Sequence, residues 1–131
     1  MNITEPTFST LPWFLRPVFA RQRKRFGTML VPAMVWARVP RLYAALSHFY
    51  AAFERRGSPL PAALRSLVQV RVAQINHCAF CIDLNAALAA ERTGSIDKAM
   101  TVDRWRESDG FDAAERLALE YAEAMTDSTQ R

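Results

Sequence analysis

The clearest periodicity along the chain runs from Pro40 to Gly57, where Leu42, Leu46, Phe49, Tyr50 and Phe53 recur mostly at spacings of three and four. That pattern places an apolar stripe on one face of an amphipathic helix. Pro40 suits the first helical turn and Gly57 the C-terminal stop. After the short connection Ser58-Pro59-Leu60-Pro61, a second stripe of Leu64, Leu67, Val68, Val72 and Ile75 predicts a helix over 61–75. Asn76 is the expected N-cap of a third helix over 78–92, closed by Gly94. Ser95 is expected to cap a fourth, reaching to about residue 107, and Asp109-Gly110 reads as a turn. Asp112 and Glu115 stand three apart and open a fifth helix over 112–125 in a capping-box pattern.

Upstream the signal is weaker. Residues 1–12 read as an irregular lead-in, and 13–26 as helical in pieces, because Pro17 interrupts a clean helix and Gly27 ends it. Residues 28–39 are apolar, but the Val31-Pro32 and Val39-Pro40 steps argue against a long helix. No alternating β-run survives, and the 21 alanines favour helix. The expected class is all-α: an N-terminal extension with short helices over 1–39, then a helical core over 40–131 with connections of a few residues.

Composition narrows the classes. A chain of 131 residues, 50% hydrophobic and 23% charged, suits one compact soluble domain. No run approaches about 18 uninterrupted apolar residues, so no membrane span is expected. Met1-Asn2-Ile3-Thr4-Glu5-Pro6 lacks the basic and apolar regions of a secretory signal, so a cytoplasmic location is expected. Residues 1–60 carry nine Lys/Arg and two Asp/Glu, and residues 61–131 carry eight and eleven; the halves are +7 and −3 and sum to +4. The basic run Arg21 to Arg25 reads as a solvated helix face. No zinc-finger or RNA-recognition signature accompanies it, so nucleic acid is not the expected partner. Trp13, Trp36 and Trp105 are assigned to the core or a subunit interface, and His48 to the edge of a core or the surface.

The candidate chemistry is Cys78-Ala79-Phe80-Cys81, which holds both cysteines of the chain. The pair falls where a helix N-terminus is expected, and unpaired amides with the helix dipole favour a thiolate at Cys78. Residues three apart share a helical face, and one turn brings their Cα atoms within the roughly 7 Å a disulfide needs. One cysteine can then attack and the other resolve. Three alternatives stand beside this. Zinc would need four ligands, with only His77 and His48 to join the cysteines, and His77 adjoins Cys78 in a poor geometry. A c-type haem needs histidine directly after the second cysteine, where Ile82 stands. Two inert, buried cysteines are the remaining alternative.

The stretch Val72-Ala73-Gln74-Ile75-Asn76-His77-Cys78-Ala79-Phe80-Cys81, with the residues around it from Leu64 to Asn85, resembles the core of the AhpD-like family, the alkyl hydroperoxidase D branch of the carboxymuconolactone decarboxylase superfamily. Leu119-Glu120-Tyr121-Ala122 resembles the next helix of that family, and the resemblance covers about residues 40–126. It implies an all-α AhpD-like bundle assembled as a trimer or hexamer. It implies a thiol-dependent peroxidase or disulfide oxidoreductase, with a peroxide or disulfide as substrate. The reductant would be a peroxiredoxin, a lipoyl-bearing protein or a low-molecular-weight thiol. No metal and no tightly bound organic cofactor is implied. Carboxymuconolactone decarboxylases proper typically lack the cysteine pair, so its presence argues against that activity. Family members with a comparable N-terminal extension often continue through several more helices, so the resemblance leaves a fragment, a truncated gene and a compact variant as alternatives; where helices are missing, the inward stripes of the second and fifth helices are expected to be covered by oligomerisation or to leave the product poorly stable.

By the same resemblance Cys81 is the peroxide-attacking thiol and Cys78 the resolving one, whereas the dipole argument makes Cys78 the more acidic. The family's relay glutamate, twelve residues before the first cysteine, is replaced by Ser66, and its histidine, four after the second, by Asn85. Neither side chain titrates near neutral pH, so activation rests on the helix terminus or on His77. His77 is otherwise a solvent-facing residue at a helix start. The expected outcome is slow peroxidase or disulfide-reductase chemistry. The alternative is a helical oligomerisation or redox-sensing module that has lost its relay.

Overall fold

Proline placement sets the first helices. The computed structural model describes residues 7–127. A 3-10 turn, Phe8–Thr10, leads into α1, Arg16–Phe26, with Pro17 in its first turn. There its missing N–H is one of the amides a helix leaves unpaired anyway, so α1 is one continuous helix rather than pieces. Gly27 closes it with φ 74°, the left-handed conformation in which a side chain costs most. Short α2, Val31–Trp36, carries Pro32 in its first turn, and α3, Pro40–Phe53, starts on Pro40. The two Val-Pro steps therefore divide 28–53 into separate helices.

Residues 7–55 form one compact unit with a small core of Leu11, Leu15, Phe19, Met34, Ala37 and Tyr43. Phe19 and Tyr43 stack with ring centroids 5.4 Å apart. Helix α3 departs from its pattern in two ways. It ends at Phe53, where the Glu54 amide donates to the Tyr50 carbonyl at 2.8 Å, so Gly57 is not its stop. Its buried residue is Tyr43, while Leu42, Phe49, Tyr50 and Phe53 are exposed. A period of 3.6 identifies an apolar face, but not what covers it. Trp13 and Trp36 are likewise exposed, the former by 80%.

Residues 56–127 form the second unit, built on α4, Ala62–Ile75. Leu64, Arg65, Ser66, Leu67, Val70 and Ala73 are all buried, so α4 is enclosed on more than one face. Val68, Val72 and Ile75 are half-buried. Helix α5, Ala79–Thr93, packs antiparallel to α4 and is closed by Gly94 at φ 75°. Helix α6, Ile96–Met100, is capped by the Ser95 hydroxyl, which accepts from the Lys98 amide at 3.3 Å. The expected helix to residue 107 stops short, because the Thr101 hydroxyl bonds back to the Asp97 carbonyl at 2.9 Å and the chain tightens into a 3-10 turn, Val102–Arg104. That turn buries Val102, and Trp105 follows it inward. Helix α7, Ala113–Thr126, opens with the expected reciprocal pair: Asp112 accepts from the Glu115 amide at 2.8 Å and Glu115 from the Asp112 amide at 2.9 Å.

Leu67, Val70, Ala86, Ala89, Ala99, Val102, Trp105, Phe111 and Leu119 join in one core cluster. The segment between α6 and α7 is held by Arg116, whose guanidinium donates to the carbonyls of Trp105, Arg106, Ser108 and Phe111. All secondary structure among the described residues is helical, as an all-α class requires. None of these helices is long and apolar enough to cross a membrane.

Candidate functional site

Two helices share the turn that carries the cysteines. At the end of α4 the His77 amide donates to the Gln74 carbonyl at 3.1 Å, and the Cys78 amide to the Ala73 carbonyl at 3.0 Å. This reciprocal pair is a Schellman ending, with Asn76 as C-cap, His77 in the next position and Cys78 after it. The Asn76 side chain donates to the Val72 carbonyl at 2.9 Å, so Asn76 finishes α4 instead of starting α5. Cys78 itself is the N-cap of α5, and its carbonyl accepts the first helical bond from the Ile82 amide at 2.9 Å. The expected helix terminus is therefore present, with the cysteine in the capping position.

Cys78 and Cys81 are joined as a disulfide, with their Cα atoms 5.2 Å apart. Both are partly accessible, and Phe80 between them is exposed. The sulfurs sit in the first turn of α5, whose leading amides have no carbonyl partner within the helix. A thiolate formed there meets the positive end of the helix dipole.

His77 is exposed and has φ 53°, in the left-handed region where glycine rests without strain. Its backbone is committed to ending α4. Exchanging it for glycine relieves the side-chain cost, offset in part by glycine's greater freedom when unfolded. We expect His77→Gly to gain about 0.5–1 kcal/mol of stability in urea unfolding.

The two positions at which the family resemblance expects Glu and His lie on different helices, Ser66 on α4 and Asn85 on α5. Asn85 lies on α5, one turn after Cys81, and is half-buried. Ser66 is fully buried, and its hydroxyl accepts from Arg92 Nη1 at 2.7 Å. Arg92 follows Cys81 by eleven residues on α5, about 16 Å along the axis at 1.5 Å per residue. Ser66 is thus engaged towards the far end of the hairpin from the disulfide. His48 lies on α3, exposed, with Nδ1 2.9 Å from the Ala44 carbonyl. Among the described residues no three His, Cys, Asp or Glu side chains cluster as metal ligands.

A charged cluster that no spacing in the chain announced lies at the same end of this unit. Glu123 on α7 accepts from Arg71 Nε at 2.5 Å, from Trp105 Nε1 at 3.0 Å and from Arg106 Nη1 at 2.7 Å. Arg71 also reaches Gln74 Oε1 at 3.3 Å, which ties the cluster to the last turn of α4. Burial pushes the Glu123 carboxyl up. The hydrogen bonds from Trp105, Arg106 and Arg71, with the Arg71 charge, outweigh it and hold the group below its usual range. A depressed folded-state pKa contributes stability above the unfolded value and loses it as pH falls through the folded one. We expect Glu123→Gln to cost about 2 kcal/mol at pH 7, since the arm to exposed Arg106 is worth little. The gap between wild type and variant should begin to narrow as pH falls through the ordinary carboxylate value and close only below the group's lowered folded-state value. Urea unfolding at pH 7 and pH 3 measures it.

A helical protein with a vicinal cysteine pair at a helix start is, by class, an all-α thiol protein. The chain belongs to the carboxymuconolactone decarboxylase family, whose sequence profile matches residues 33–124. It is 45% identical over 121 residues to the uncharacterized protein YnjA of Escherichia coli (strain K12), an alignment covering 92% of this chain and 66% of the relative. It is 33% identical over 69 residues to the uncharacterized protein YdfG of Bacillus subtilis (strain 168), covering 53% of this chain and 47% of that relative. The chain thus spans less than two thirds of the length of each of these relatives. No solved structure matches it.

Proposed function

We propose that Cys78 and Cys81 form a redox pair that reduces a hydroperoxide or a disulfide at the expense of an external thiol. The observation that carries this reading is the cysteine pair bonded at the N-terminus of α5, with Cα atoms 5.2 Å apart. With a hydroperoxide, the attacking thiolate bonds to the outer peroxide oxygen, the O–O bond breaks, and the alkoxide leaves as an alcohol after taking a proton. The sulfenic acid so formed is attacked by the second thiol, which releases water and closes the disulfide. Two equivalents of an external thiol reopen it by exchange. A peroxiredoxin, a lipoyl-bearing protein or a low-molecular-weight thiol can stand on the other side of that exchange. These steps require no metal or organic cofactor, and they cycle in a reducing compartment such as the cytoplasm. Lacking titrating groups at Ser66 and Asn85, the pair works slowly.

A second reading is a helical module without peroxide chemistry, favoured by the engagement of Ser66 with Arg92. Either reading accommodates a homo-oligomer, because Leu117, Tyr121 and Met125 line up at intervals of four along α7 and are all exposed. Counting free thiols before and after one equivalent of tert-butyl hydroperoxide separates the two. The redox reading expects two thiols to fall to zero and to return with a dithiol reductant. Two thiols that persist through excess hydroperoxide, and through a disulfide such as hydroxyethyl disulfide, overturn it.

A further inference from the structure

The Glu123 cluster forms one wall of a pocket of about 260 Å³, set where α4 and α7 end. Ile75, the last residue of α4, also lines it. Cys78 follows three residues later, at most about 11 Å of chain away. The pocket therefore lies at the end of α4 from which the chain runs directly into the cysteine-bearing turn. Its volume suits a group the size of one amino acid rather than a whole cofactor.

The lining carries both signs. Arg71 and Arg106 present guanidinium groups, Glu123 lies between them, and Glu120 and Asp127 complete the acidic side. Arg106 gives one N–H to Glu123 and stacks on Trp105 at 4.1 Å, leaving its other donors without an acceptor among the described residues. Glu120 is exposed and has no hydrogen-bond or ion-pair partner among the described residues. A lone anion would meet Glu120 and Asp127, and a lone cation would meet the two guanidinium groups. A ligand bearing both charges a few ångströms apart meets an opposite partner for each.

We propose that this pocket binds the α-amino-acid head, ammonium and carboxylate together, of the low-molecular-weight thiol that reduces the Cys78–Cys81 disulfide. This rests on the redox reading above. The ligand carboxylate sits on the outward donors of Arg106 and Arg71, and the ammonium on Glu120. The thiolate of the first thiol attacks one sulfur of the disulfide, the S–S bond breaks, and the released cysteine takes up a proton. A second thiol attacks the mixed disulfide, frees the other cysteine and leaves as the oxidised low-molecular-weight disulfide, so two thiols supply the two electrons.

The test uses two probes. S-methylglutathione carries the head but cannot exchange, and its binding to the oxidised chain is read by calorimetry. Glutathione and 2-mercaptoethanol are compared as reductants at equal thiolate concentration. We expect S-methylglutathione to bind wild type and to bind Glu120→Gln and Arg106→Gln about tenfold more weakly, one charge-assisted hydrogen bond each. The ratio of the glutathione rate to the 2-mercaptoethanol rate should be about ten for wild type and about one for either variant. Both substituted positions are exposed, so folding is not at issue. Absent binding, or equal binding by wild type and both variants, overturns the pocket assignment whatever the reduction rates. Binding with no reduction by any thiol overturns the redox reading instead, and with it the ligand's role as reductant.

Discussion

If the proposed redox cycle operates, replacing either Cys78 or Cys81 by serine should abolish catalytic turnover of hydroperoxide, by about three orders of magnitude or more, as expected when a nucleophile or its resolving partner is removed. A serine hydroxyl at either position cannot form the bridge the native pair makes across 5.2 Å between Cα atoms. The two variants differ in what they still do once. The one that retains the attacking thiol consumes a single equivalent of peroxide and stops as a sulfenic acid, trapped by dimedone. The other consumes none. The capping position of Cys78 and the leading amides of α5 make its thiolate the better stabilised, whereas family resemblance assigns the attack to Cys81. Peroxide consumption in a stopped-flow assay, with mass spectrometry of the trapped adduct, decides between them. Equal turnover in wild type and both variants would sink the redox reading altogether.

How far this site was legible depends on how local each cause is. The capping box at Asp112 and Glu115 involves residues three apart, and it forms as the spacing requires. The Cys-x-x-Cys pair is equally local, and its helix start was foreseeable. The residue capping that helix was not. Asn76 has the chemistry of an N-cap, but α4 and α5 meet in one Schellman turn that claims Asn76 for the end of α4 and leaves Cys78 to begin α5. Nothing in a propensity scale reveals that a single turn serves two helices. The α3 stripe forms one helical face as its spacing requires, but spacing does not say what covers a face, and most of this one is exposed because burial is decided by neighbours. The Glu123 cluster was invisible. Arg71, Trp105, Arg106 and Glu123 come from three separate segments, and only packing α7 against α4 brings them together.

Asn85→His should raise the hydroperoxide rate about a hundredfold at pH 7, the lower end of what a positioned base contributes. Position 85 is half-buried on α5, one turn beyond Cys81, so its side chain and that of Cys81 share a helical face. An imidazole there, with an unperturbed pKa of about 6.5, accepts the thiol proton that asparagine cannot. The pH profile is the readout that a mere packing change would not reproduce: in a His77→Gln background, the Asn85→His variant's rate should gain an acid-side fall through the imidazole range that the background alone does not show. Ser66→Glu, the other half of the family's relay, should not raise the rate by itself. The new carboxylate would lie against Arg92, which already donates to this position at 2.7 Å, and would pair with it. It would also crowd a fully buried site at a cost of about 1–3 kcal/mol. Freeing that carboxylate from its ion pair requires Arg92→Ala as well. A rate gain from Ser66→Glu alone, or none from Asn85→His, would mean that thiol activation in this protein does not pass through the α5 position one turn from Cys81.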